Sequence, residues 1–218
     1  MGCDIHAYIE YDVSNSDGSV LVQHFGRVRL GRNYTLFALM AGVRYSANEM
    51  DGALPLFEPR GLPKQCSLFI DYDYGLFVND EFAERDGWCS RESAEKWVAR
   101  GMSVWLNDKH TNTSNPDYHS ASWLTVIELD QVQTAYANIR QSDMSWYQKS
   151  GRDIPENAHI VFHGCSPWRF GDKDMDYIEV GERKPLGRHL ILDAIIAAMK
   201  VLDRDVPGRS RLVFWFDN

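Results

Sequence analysis

Met1-Gly2-Cys3-Asp4-Ile5-His6-Ala7-Tyr8-Ile9-Glu10-Tyr11-Asp12-Val13 alternates from its third residue onward. Cys3, Ile5, Ala7, Ile9, Tyr11 and Val13 fall on one face of an extended chain, and Asp4, His6, Tyr8, Glu10 and Asp12 on the other. Period two over about ten residues specifies a half-buried β-strand. Its polar face is chemically loaded, because nearly every member can exchange a proton or bind a metal. Asp4 and His6 are two residues apart, roughly 7 Å along a strand, and can converge on one ion or one substrate atom. The pattern points to a reactive pocket beside the first strand.

Working outward, Ser14-Asn15-Ser16-Asp17-Gly18-Ser19 is a turn signal, and Val20 to Leu30 returns as a second strand in a hairpin. Its Arg27/Arg29 end comes back toward Asp4 and His6. Asn33 reads as the N-cap of a short helix, Tyr34 to Ala41, stopped by Gly42. Asn48 to Cys66, with Pro55, Pro59 and Pro63, reads as a long ordered loop of the kind that serves as a binding loop or lid. Ser67 to Tyr72 is expected as a strand. Ser90 caps a helix from Arg91 to Arg100, and Met102 to Leu106 is a weak strand. Asn107 to Ser122 reads as a polar loop. Thr125 with Glu128, and Asp130 with Gln133, fit capping boxes of a helix running to about Arg140. Ser142 to Glu156 is expected as loop, Ala158 to His163 as strand and Gly164 to Asp176 as loop. Leu186 to Leu202 is the strongest helix, with Leu190, Ile191, Ala194, Ile195, Ala198, Met199 and Leu202 as its apolar stripe. Arg211 to Phe216 closes the chain as a strand. The expected architecture is α+β, a mainly antiparallel sheet with packed helices in a single compact domain over residues 1–218.

The chain of 218 residues is 44% hydrophobic, with ten Phe, ten Tyr and seven Trp, enough for a sizeable core. No apolar run approaches the roughly 18 residues of a membrane span, and the N-terminus carries no secretory pattern. Cys3, Cys66, Cys89 and Cys165 are widely spaced and read as free thiols of a cytoplasmic protein. A net charge of −8 argues against bulk nucleic-acid binding. The charge is uneven: residues 18–48 hold Arg27, Arg29, Arg32 and Arg44 and no acid. Such a group suits phosphate or carboxylate; the same arginines also suit ion pairs with the acidic face of the first strand.

Met1-Gly2-Cys3-Asp4-Ile5-His6 resembles the opening of a family of small proteins encoded by bacteriophages and prophages. Three later segments fit that pattern: Arg32-Asn33-Tyr34 running into Leu36-Phe37-Ala38 and Ala41-Gly42-Val43-Arg44; Pro59-Arg60-Gly61-Leu62-Pro63; and Asp117-Tyr118-His119-Ser120-Ala121-Ser122-Trp123-Leu124. The resemblance reaches from residue 1 to about 128. It implies a phage origin, a host-cell cytoplasmic setting and a role against host defences, and carries no established activity. Asp4-x-His6 also resembles the first metal-binding motif of binuclear metallophosphoesterases, whose remaining motifs are missing here.

The candidate catalytic residues are Asp4, His6 and His119, with a carboxylate tuning His119 as general acid or base. The same three are the candidate ligands should a divalent metal bind; imidazole and carboxylate suit zinc, manganese or iron. Read structurally instead, Asp4 fixes a histidine by hydrogen bond, and His119 caps a helix or stacks on Trp123. Glu10, Arg32, Tyr34, Arg44, Arg60, Ser120 and Trp123 are candidate ligand-binding residues. Arginines would hold phosphate, and Tyr8, Tyr34 or Trp123 would stack a nucleobase, unless those rings are core. The functional expectation is a pocket protein for a small anionic, nucleotide-like ligand. It would hydrolyse a phosphoester or glycosidic bond by general acid–base chemistry, or sequester a host nucleotide messenger without turnover. An acidic inhibitor of a host protein is the third class. No membrane partner is expected, and homo-oligomerisation is left open.

Overall fold

The structure, a computed structural model, describes residues 3–14, 19–47, 50–85, 88–99, 104–107, 110–114, 117–148, 159–165 and 174–217. The expected Asp17-Gly18 turn, the helix end at Arg100-Gly101, Met102, Ala158 and Trp168 lie outside them. The chain divides into two compact units. One is formed by residues 1–32, 59–130 and 191–218, the other by 33–58 and 131–190.

In the first unit, β1 (Asp4–Ser14) pairs antiparallel with β2 (Val20–Val28), as the alternation on both sides of the turn predicts. On its other edge β1 pairs with β11 (Ser210–Asp217), which also pairs with β7 (Tyr118–Leu124). The sheet order is β2-β1-β11-β7, antiparallel throughout. As an inner strand, β11 is covered on both faces: Leu212, Val213, Phe214, Trp215 and Phe216 are all fully buried. That explains a continuous apolar run where a half-exposed strand would alternate. Residues 107–122, expected as loop, instead supply β6 (His110–Ser114) and most of β7. Tertiary pairing overrides their polar composition.

A second sheet of this unit runs β4-β3-β6-β5, from β3 (Gly75–Val78), β4 (Trp88–Cys89), β5 (Val104–Asn107) and β6. Its β3–β4 pair is parallel over two residue pairs, and the others are antiparallel. The helices of this unit are α2 (Leu68–Tyr74) and α3 (Arg91–Ala99), together with most of α5 (Leu190–Leu202). α2 corrects the strand expected at Ser67–Tyr72. Ile70 and Tyr74, four apart, are buried while Leu68, Phe69 and Tyr72 face out, a helical period that the short apolar run conceals. On α5 the buried stripe is Leu192, Ile195, Ile196 and Met199, with Leu190 and Ile191 exposed. The expected helix is present, but its inward face is turned and it begins four residues later. The Ser210 hydroxyl donates to the Met199 carbonyl (3.3 Å), tying the start of β11 to this helix.

In the second unit, Asn33 Oδ1 accepts from the Leu36 N–H (3.0 Å), and Gly42, at φ 68°, ends α1 (Tyr34–Ala41). Leu36 to Ala41 are all buried, so this short helix is core on every side. β8 (Arg140–Gln148), β9 (His159–Cys165) and β10 (Asp174–Pro185) form an antiparallel sheet in the order β8-β10-β9. Strands thus replace the loop expected from Ser142 and the end of that expected before Asp176. α4 (Val126–Asn138) starts in the first unit's residues and ends in the second's. Its Thr125/Glu128 capping box is present, with each backbone N–H bonded to the other side chain. Asp130/Gln133 is not a second box. Both lie inside the helix, and Gln133 is buried, bonding the backbone N–H and carbonyl of His189. No helix among the described residues is long and apolar enough to cross a membrane.

Candidate functional site

Register decides which side chains meet. Asp4 lies opposite Asp217, His6 opposite Trp215, Tyr8 opposite Val213 and Glu10 opposite Arg211. These residues share one face of the first sheet, with Arg27 beside Tyr8 on β2. Ile5, Ala7 and Ile9 point to the other face with Phe214 and Phe216.

His6 sits at the centre. Its ring stacks on Trp215 (centroids 5.5 Å, planes 4° apart) and leans on Tyr118 at 5.1 Å. Nε2 lies 3.1 Å from Asp217 Oδ2, and Nδ1 lies 3.2 Å from Arg27 Nη2 and 4.0 Å from Asp73 Oδ2. A carboxylate only accepts and a guanidinium only donates. The tautomer that satisfies both carries its proton on Nε2 and offers the Nδ1 lone pair to Arg27. Asp217 also accepts from the Asp4 backbone N–H (3.1 Å). Asp73, from α2, accepts a hydrogen bond from the Tyr8 hydroxyl. Burial, reinforced by that bond and by the Asp73 charge, raises the Tyr8 pKa, so Tyr8 is a held proton donor. Tyr118 is raised as well, by burial first and then by the charges of Asp73 and Asp217.

Asp4 is bound in two-pronged fashion by Arg32 (2.5 and 2.7 Å). That contact holds the Asp4 carboxyl below its usual range, against an opposing effect of burial. Both side chains are more than half exposed, so the pair adds little stability. Around these groups opens a cleft of about 450 Å³, lined by Asp4, Ile5, His6, Arg27, Val28, Arg29, Leu30, Gly31 and Asp217. Arg29 makes no ion pair with any described residue.

Of the residues expected from the sequence, the cleft gathers Asp4 and His6, and Arg32 joins them through its bonds to Asp4. Glu10 is fully buried, accepting from Arg211 Nε (2.7 Å) and from the Ser67 N–H (2.9 Å). Arg211 also donates to the Gln65 carbonyl. Glu10 therefore fastens the segment that leads into α2, and structure, not ligand, explains it. His119 pairs with Phe216 in register and stacks on it (5.9 Å, 25°), which puts it on the face of the sheet opposite His6. Its Nδ1 lies 3.0 Å from the Ser120 hydroxyl. Ser120 holds a positive φ of 52° where β7 slips register against β11. Asp4, His6 and His119 therefore do not converge.

Arg60 lies over the Trp123 ring (5.1 Å) and pairs with Glu128. Burial pushes Glu128 up, but the bonds from Arg60 and Thr125 outweigh it and leave the carboxyl below its usual range. The Pro59–Pro63 loop is pinned to β7, with the Gly61 N–H donating to the Ala121 carbonyl (2.8 Å). Tyr34, edge-on to Phe37, and Arg44, exposed at φ 57°, belong to the second unit. Among the described residues no group of three His, Cys, Asp or Glu side chains is arranged to hold a metal ion. Cys3, Cys66 and Cys89 are free thiols.

Sequence reading missed Asp73 and Asp217. Asp217 follows the aromatic run by one residue, but only the β1–β11 register reveals it as the partner of His6. Comparison with known proteins returned no matching family model, no matching curated protein and no matching solved structure.

Proposed function

We propose that this cleft binds a small anionic, nucleotide-like ligand and hydrolyses a phosphoester in it by general acid–base chemistry centred on His6. The observation that supports this is a histidine oriented by a carboxylate, Asp217, on a cleft lined by two arginines. Arg27 and Arg29 attract the anion. When Arg27 turns to the ligand it leaves Nδ1 of His6 free. Nδ1 then takes a proton from water as the water oxygen bonds to phosphorus. The ester oxygen departs with its electron pair and is protonated by solvent. Asp217 stabilises the imidazolium that forms. The phage-like opening hexapeptide supports a setting in the host cytoplasm, with a host nucleotide as target and counter-defence as the role. Sequestration without turnover is the second reading, favoured because both nitrogens of His6 are already engaged.

The test is calorimetric binding of a nucleotide panel, with and without divalent ions, followed by product analysis. His6→Asn is expected to lower turnover by about 10²–10⁴-fold while binding persists. Arg29→Gln is expected to weaken binding by about 1.5–3 kcal/mol, the range of a charge-assisted hydrogen bond. Binding with no product from any phosphoester assigns the cleft to sequestration. Unchanged turnover in His6→Asn refutes the acid–base role.

A further inference from the structure

We infer that the cleft recognises the sugar–phosphate part of its ligand, a phosphorylated pentose, and does not read a nucleobase. This rests on the anionic-ligand reading above and narrows it.

Among the described residues, no aromatic ring other than the His6 imidazole lines the cleft, whose apolar lining residues are Ile5, Val28 and Leu30. The rings that would stack a base are committed elsewhere. Tyr8 is buried and stacked on Trp215 (5.4 Å, 17°), Trp123 lies under the Arg60 guanidinium, and Tyr34 belongs to the second unit. His6 has its own ring stacked against Trp215.

What the cleft offers instead is a phosphate site beside hydroxyl acceptors. Arg27, on β2, and Arg29, just past its end, both line the cleft, and Arg29 has no ion-pair partner among the described residues. Asp4 and Asp217 face each other directly across the β1–β11 ladder. Like charges placed directly opposite on neighbouring strands cost stability. Here the pair is kept and offset by Arg32 on one side and His6 on the other. Each carboxylate retains accepting capacity after those bonds, because an ionised carboxylate offers about four lone-pair sites. Two acceptors so close together, with arginines alongside, match adjacent hydroxyls on one ring that also carries a phosphate. A volume of about 450 Å³ is within the ordinary range for a small-molecule site.

Titration calorimetry of the full chain with inorganic phosphate, ribose phosphate, adenosine monophosphate and uridine monophosphate tests this. Ribose phosphate is expected within about threefold of both nucleotides, because base stacking, worth roughly five- to a hundredfold, is not made. It is expected to bind at least about tenfold more tightly than inorganic phosphate, the effect of one or two good hydrogen bonds. Asp217→Asn should remove that preference while leaving inorganic phosphate binding in place. If Asp217→Asn does not fold, the exposed Asp4→Asn is read in the same way. A nucleotide preference of about thirtyfold or more over ribose phosphate, well inside the stacking range, would overturn the inference and leave the anion site standing. So would clear discrimination between the two bases, or equal affinity for inorganic and ribose phosphate. No binding by any of the four overturns both.

Discussion

Glu10→Ala should unfold this protein at markedly lower temperature without touching the cleft. Glu10 belongs to the ionisable face of β1, but it is fully buried and accepts bonds from Arg211 and from the Ser67 N–H. Truncation leaves the largely buried Arg211 guanidinium without its carboxylate, and breaking a buried pair from one side costs about 3–5 kcal/mol. For a chain of this size 1 kcal/mol corresponds to about 2–4 °C, so the midpoint should fall by about 6–20 °C. Glu10→Gln keeps an acceptor and most of the shape. It should lose only the charge assistance, about 1–2 kcal/mol. The assay is thermal unfolding followed by circular dichroism, paired with ribose phosphate titration at a temperature where each variant is folded. An Ala variant that melts within about 2 °C of the parent, under 1 kcal/mol by the same conversion, would refute this account. Lost binding with unchanged stability would return Glu10 to the ligand.

Arg60→Ala should cost about 1–3 kcal/mol by removing its charged bond to Glu128. It should also blunt acid sensitivity. The folded pKa of Glu128 lies below its unfolded value, so its contribution is present above about pH 4.3 and is lost as pH falls through the folded value. Urea unfolding at several pH values should show a smaller acid-dependent component in the variant. Ser120→Gly should be neutral or stabilising by up to about 1 kcal/mol, read by denaturant midpoint, because Ser120 holds φ 52°. A loss above that range would mean that the Ser120 hydroxyl on His119 outweighs the backbone gain. Tyr8→Phe should cost about 1–3 kcal/mol by leaving Asp73 without its phenol donor. In ultraviolet titration of the parent, Tyr8 and Tyr118 should ionise later than the exposed tyrosines, since both pKa values are raised.

The first hairpin, α1 with its two caps and the Thr125/Glu128 box were legible because each is written in local periodicity or cap chemistry, and the closing strand because it is a short continuous apolar run. α2 was not: Ser67-Leu68-Phe69-Ile70-Asp71-Tyr72 is too short and too uniformly apolar for period two and period 3.6 to be told apart. β8 and β10 read as loop or passed unseen because they are polar and their partners lie elsewhere in the chain. What fixes them is a backbone ladder between segments distant in sequence, from Met175 opposite Gln148 at the near end to Pro185 opposite Arg140 at the far end. The site divided on the same line. Asp4 and His6 stood out from β1 alone, and Arg32 from an acid-free stretch. Asp217 and Asp73 enter only through register and helix placement. His119 was drawn in by its motif and put out by the strict alternation of β11, which sends Trp215 to one face and Phe216 to the other.

That same central strand governs how the chain must be assembled. β1 finds β2 within about 20 residues, as in the contact between His6 and Arg27, 21 positions apart. Its other neighbour is up to 213 positions away, the separation of Asp4 and Asp217. Closing a loop about ten times longer costs only about 2 kcal/mol more entropy, so distance itself is no great thermodynamic burden. Time is the greater one. Until β11 emerges from synthesis, β1 carries an open hydrogen-bonding edge, and the residues that will bury Trp215 and Phe216 face water or one another. A nascent chain in that condition invites pairing with other chains. Chaperone demand and inclusion-body formation should therefore depend on how quickly the last strand is delivered.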